Sequence, residues 1–160
     1  MQFTQSVSYP GTVDEVVAMY LTPAYLERRF GQFVVDGSST VSVEGERVSF
    51  AGTVRPELIP AAASHFVKSD LRIAFTEEWA TNEAGATSRT SVTVDGAPVS
   101  VEATSTLAPA DAGSTRDVTG NVSVRVPLLG GRIEKEAVAH LGRVVEREQA
   151  LATQWLEEHR

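Results

Sequence analysis

The sequence predicts an α+β fold in which a seven-stranded antiparallel sheet curves around one long C-terminal helix, with two short helices between strands 1 and 2. Three observations carry this prediction. The chain opens on QFTQSVSY, which alternates like a half-buried strand and is followed by two segments with helix-capping residues. From Phe33 to Val126, Val, Thr and Ser alternate between DGSS, EGER, NEAGA, DGAP and DAGS, the residue clusters of hairpin turns. After Gly131 the apolar residues recur at helical spacing to the last turn.

The first strand puts Phe3, Gln5, Val7 and Tyr9 on one side and ends at Pro10 and Gly11. Thr12 and Glu15 stand at capping-box spacing and start the first short helix. Thr22 as N-cap, Pro23 at the first helical position and Gly31 as the stop define the second. Six further strands are expected with cores at 33–43, 46–55, 71–81, 86–94, 98–107 and 115–126. Between the second and third of these, PELIPAAASHFVKSD reads as a loop with a helical turn.

The last helix is expected over Arg132–Glu158. At about 100° per residue, Ile133, Ala137, Val138, Leu141, Val144, Val145, Leu151, Ala152, Trp155 and Leu156 fall in one arc of roughly 140°. Such a helix is roughly 40 Å long, enough to cross a curved sheet. Glu148 falls inside the arc, a place where a carboxylate needs a partner. Glu134 does too, but it lies in the first turn, where the helix dipole favours negative charge. The stretch VPLLGGR before the helix lacks the Lys-Ser/Thr of a P-loop and the three-glycine spacing of a dinucleotide fold, so it reads as a hinge after the last strand.

Composition narrows the function classes. A chain of 160 residues fits one domain, 1–160, with a sizeable core. Its formal charge of −7 speaks against nucleic-acid partners. No stretch reaches membrane-span length and no leader is visible, so a soluble, cytoplasmic protein is expected. There is no cysteine, and His65, His140 and His159 do not have ligand spacing, so no metal or other cofactor is expected. No G-x-S-x-G elbow accompanies the many serines. Glu77 and Glu78 must face opposite sides of their strand, which leaves Glu77 with Phe75 and Trp79 on the inner face.

The order of strand, two short helices, six strands and long helix resembles the helix-grip fold of the START and birch-pollen-allergen superfamily, also called SRPBCC. VPLLGGRIEKE and EREQALATQWL are similar to segments of an uncharacterised actinobacterial family, DUF2505. The superfamily resemblance implies a hydrophobic pocket between sheet and helix, used for lipids, sterols, polyketides or hormones, with enzymes such as aromatase/cyclases as a minority.

Within this sequence, small residues at Gly52, Ala103, Ser105 and Gly120 leave space on the inner face, or else mark bends filled by neighbouring rings. The expected cavity residues are Phe50, Phe75, Trp79, Ala103, Gly120, Leu141, Val145 and Trp155, with Glu148 and Glu77 as polar contacts. Non-enzymatic binding of a hydrophobic small molecule is the leading function. A cyclase, dehydratase or hydrolase using Glu148 or Glu77 requires one of them unpaired and facing open volume. A ligand-free interaction module is the third reading.

Overall fold

Strand β1 (Gln2–Tyr9) leads into helix α1 (Val13–Tyr20) of the computed structural model, which describes residues 1–59, 61–65 and 70–160, the side chain of residue 62 apart. The capping box at α1 is formed: Glu15 N donates to Thr12 Oγ1 and Thr12 N to Glu15 Oε1, both at 3.2 Å. Helix α2 (Pro23–Phe30) has Pro23 in its first turn, but Thr22 does not cap it. The Thr22 hydroxyl donates to Ala18 O at 2.7 Å instead, because α1 ends one turn away. A 3₁₀ turn at Gly31–Phe33 continues from α2.

The strand expected over 33–43 is corrected to β2 (Thr40–Glu44), with only an isolated bridge between Val34 and Val54 before it. The turn residues DGSS break the longer strand: Ser38 N donates to Val35 O at 3.1 Å, and the Ser38 side chain donates to the same carbonyl. The other strands are β3 (Arg47–Thr53), β4 (Arg72–Asn82), β5 (Gly85–Asp95), β6 (Val99–Ala110) and β7 (Gly113–Val124). The expected helical turn in the β3–β4 connection is present as a 3₁₀ turn at Pro56–Leu58 and α3 (Ala61–Ser64); the part of that loop at 66–69 lies outside the described residues.

All seven strands form one antiparallel sheet in the order β1-β7-β6-β5-β4-β3-β2. Residues paired across antiparallel strands share a face, so the register arranges the inner face in rows. Val48, Glu77, Thr90, Ala103, Gly120 and Phe3 form one row. The next is Phe50, Phe75, Val92, Val101 and Val122, followed by Gly52, Ile73, Val94, Val99 and Val124. The inner face is thus polar toward one end and apolar toward the other.

Helix α4 (Gly130–Glu158) closes this face unevenly. Of its predicted apolar arc, only Ala152, Trp155 and Leu156 are buried, in a cluster with Tyr9, Val16, Met19, Tyr20, Tyr25 and Trp79. Leu141 and Val145 are half-buried, and Val144 is 43% exposed. A second cluster of Leu26, Val34, Val48, Phe50 and Phe75 lies under α2.

The glycine pair acts as a hinge. Gly130 N donates to Val126 O at 2.8 Å, and a Cβ on Gly130 would stand 2.2 Å from Val124 O, so only glycine allows the helix to start against the end of β7. The first turn of α4 is held by its own carboxylate: Glu134 accepts from Val124 N at 3.0 Å.

Candidate functional site

The strand alternation that puts Phe75 and Trp79 on the inner face also puts Glu77 there. β5 adds Ser88 and Thr90, β6 adds Ser105 and β7 adds Arg116 to the same patch. Glu77 and Arg116 are both buried, with Arg116 Nη2 2.8 Å from Glu77 Oε2. The second acceptor site is filled as well: Trp79 Nε1 donates to Glu77 Oε1 at 3.0 Å, and Thr90 Oγ1 to Oε2 at 2.7 Å. Arg116 Nε donates to Ser105 at 2.9 Å, and its Nη2 also donates to Ser88 at 3.1 Å.

The helices extend this patch outward. Arg29 of α2 places Nη2 2.8 Å from Glu148 Oε1, and its Nη1 lies 4.0 Å from Glu77 Oε1. Tyr20 of α1 donates to Glu148 at 2.7 Å and shares a 2.6 Å hydrogen bond with Tyr9. Both guanidinium groups also lie over the Tyr20 ring at 4.9 Å. Two carboxylates and two guanidiniums therefore neutralise one another in a network that joins β4, β7, α1, α2 and α4.

The electrostatics follow from this packing. Burial alone would raise the Glu77 carboxyl, but the Arg116 and Arg29 charges and the Thr90 hydrogen bond outweigh it and hold it below the usual range. Burial pushes the Tyr20 hydroxyl well up, with Glu148 adding to it, so it stays a donor. Among the described residues, two buried side-chain atoms lack a partner, Tyr25 Oη and Arg29 Nη1.

A carboxylate held ionised, with both oxygens engaged, is not poised to exchange protons. Glu77 therefore does not meet the condition set above for an acid/base. Glu148, whose side chain is 17% exposed, is an ion-pair member at the edge of a groove of about 280 Å³ between α2 and α4, shared with Arg28, Phe30, Phe33 and Arg147. Glu148→Gln is expected to lower stability by about 1.5–3 kcal/mol, the range for a hydrogen bond to a charged group. Urea denaturation checks this; an unchanged midpoint would mean that Arg29 finds another acceptor.

The other residues expected around a cavity are distributed differently. Trp79 and Trp155 belong to the first core cluster, Phe50 and Phe75 to the second. The space at Gly120 is occupied, since a Cβ there would meet Phe3 Cζ at 2.5 Å and Glu102 O at 2.8 Å. Ala103, Leu141 and Val145 are half-buried. An apolar pocket of about 230 Å³ lies at the other end of the inner face, between Val94, Val99, Val122 and Val124 of the sheet, Ile133 and Ala137 of α4, and Leu58 and Leu71. Its lining includes none of the ten expected site residues.

Sequence reading missed Arg29 and Arg116. Arg116 was legible, because it shares the alternation of Val118 and Gly120 and so must face inward. Arg29 follows Leu26 by three residues, the helical spacing that shares a face, but nothing in ERRF shows which arginine the sheet will receive.

The chain resembles proteins of known structure over nearly its whole length. A protein from Chromobacterium violaceum matches with a TM-score of 0.58 at 14% identity, covering 95% of this chain and 96% of the other. The di-domain ARO/CYC StfQ from the steffimycin biosynthetic pathway matches with a TM-score of 0.61 at 11% identity, over 99% of this chain and 51% of StfQ. At such identities the likeness shows the helix-grip fold. Uncharacterized proteins of Mycobacterium bovis and Mycobacterium tuberculosis are 27% identical over 166 residues, covering 96% of this chain and 95% of theirs. The model of the family described as "Protein of unknown function (DUF2505)" matches residues 4–156, and the chain belongs to that family.

Proposed function

We propose that this protein binds a hydrophobic or amphipathic small molecule between the sheet and α4, as a carrier or sensor in the cytoplasm rather than as an enzyme. The observation that carries the reading is the apolar pocket of about 230 Å³ beside Ile133 and Ala137. Its volume is somewhat below the roughly 300–1,000 Å³ of drug-sized sites, which suits a slender chain or a one- to two-ring body. Valines from three strands, β5, β6 and β7, line it, and burial against them drives binding without directional bonds. Half-buried Ala103, Leu141 and Val145 offer further apolar surface on the inner face. Glu77 and Glu148 serve this reading indirectly, by fixing α2 and α4 over the sheet.

A neutral naphthalene dye, N-phenyl-1-naphthylamine, tests the proposal. Saturable fluorescence enhancement is expected for the wild type. Ala137 is exposed on the helix side of the pocket, so Ala137→Trp is expected to fold normally and weaken dye binding about tenfold or more by filling the space. Equal binding by the two proteins would exclude this pocket.

A further inference from the structure

The stretch RVPLLGGRIEK does more than turn the chain. The turn that joins β7 to α4 presents Leu128 at 104% relative exposure, with φ +69. That region of backbone space is unfavourable for a branched L-residue, and Gly or Asn would relieve it. The turn is braced on its C-terminal side: Leu129 N and Gly130 N both donate to Val126 O, and Gly130 lies against Val124 O. In this conformation Leu128 points into solvent.

Two further features coincide here. Val126 and Ile133, on either side of the turn, both line the apolar pocket, and Leu58 on the opposite lip is 48% exposed. The turn is also flanked by exposed Arg125, Arg132 and Lys135 in a chain whose formal charge is −7. The single carboxylate within this stretch, Glu134, is engaged by Val124 N and the N-terminal ammonium. Glu136 lies 3.9 Å from Arg132 and offsets part of its charge.

We infer that the β7–α4 turn docks on an anionic lipid surface, with Leu128 inserted among the acyl chains and Arg125, Arg132 and Lys135 at the headgroups. An exposed apolar side chain ringed by cations is the arrangement that such an interface stabilises. The pocket mouth then faces the bilayer, which makes a membrane amphiphile its ligand; this last step rests on the pocket proposed above, whereas docking does not.

Flotation with phosphatidylcholine vesicles, with and without phosphatidylglycerol, tests the inference. The wild type is expected to float with the anionic vesicles and not with phosphatidylcholine alone. Leu128→Asp is expected to weaken partitioning about tenfold, and Lys135→Glu about fivefold or more, with no fall in thermal midpoint because neither side chain is buried. Absence of binding to either vesicle, equal binding to both, or binding unaffected by both substitutions would overturn docking. So would a lipid-free dimer that Leu128→Asp dissociates, which would assign the turn to a second copy of the chain. The naphthalene dye separates the two proposals: dye binding without flotation removes docking and leaves the pocket, and flotation without dye binding does the reverse.

Discussion

Arg116→Ala is expected to reduce folding stability by about 3–5 kcal/mol, the cost of leaving one member of a buried ion pair uncompensated. That is a large share of the roughly 5–15 kcal/mol that holds a domain folded. Glu77 has a fully buried side chain, and its second oxygen depends on Arg116 for its ionic partner. The double replacement Glu77→Gln with Arg116→Met is expected to recover most of the loss, because it removes both charges while keeping the volume. The pH dependence adds a signature. In the wild type the folded Glu77 carboxyl lies below its ordinary value of 4.5, so its contribution is complete above that value and is lost as pH falls through the folded one. Without Arg116, the largest charge opposing burial is gone, and the carboxyl is expected to rise even with Arg29 and Thr90 still beside it. Its contribution then declines as pH rises from about 4.5, and the slope of stability against pH changes sign. Urea denaturation followed between acid and neutral pH reads both effects. A loss below about 1 kcal/mol with no change of slope would mean that the pair is solvated.

Trp155→Ala is expected to cost about 3–5 kcal/mol, as for other buried tryptophans. The ring meets Tyr25 edge-on at 5.4 Å, stacks on His159 at 4.0 Å and carries the Arg28 guanidinium at 5.1 Å on its face. It fastens the last turns of α4 to α2. Leu141→Ala, on the same helix and in the same predicted arc, is expected to cost no more than about 1 kcal/mol, because its side chain is only half-buried. Comparable losses at the two positions would show that the middle of α4 is packed against the sheet in solution.

This contrast also marks how far the sequence could be read. Alternation and turn residues placed the seven strands, and the 3.6-residue period placed α4, because both patterns are written locally. The depth of burial along α4 is not local. Periodicity says which side of Leu141 and Val144 is apolar, but only the positions of α1 and α2 decide that the helix touches a packed core at its C-terminal end. The strand expected over 33–43 runs across DGSS, a cluster recognised as turn residues in the same sequence; the apolar residues on both sides of it favour joining them, but the Ser38 hydrogen bonds end the extended backbone there. Glu148 was recognised as needing a partner, yet Arg29 lies on another helix. Glu77 was placed on the inner face; its partner Arg116, three strands later on β7, was missed, although the same parity rule applied to β7 would have placed it there.

The strand order has a consequence for how the molecule is made. Edge strand β1 pairs with β7, Gln2 opposite Asn121 and Tyr9 opposite Ser114, so it waits for the last strand of the sheet before it can join. At roughly 5–20 residues per second of synthesis, that wait is on the order of ten seconds. During it, Phe3, Val7 and Tyr9 have no sheet to lie on. Pairing between such distant segments carries a high loop-closure cost and places the fold among the slower topologies. Completion of the sheet is therefore a late event, and the newborn chain must be kept from pairing its free β1 strand with a neighbour until β7 arrives.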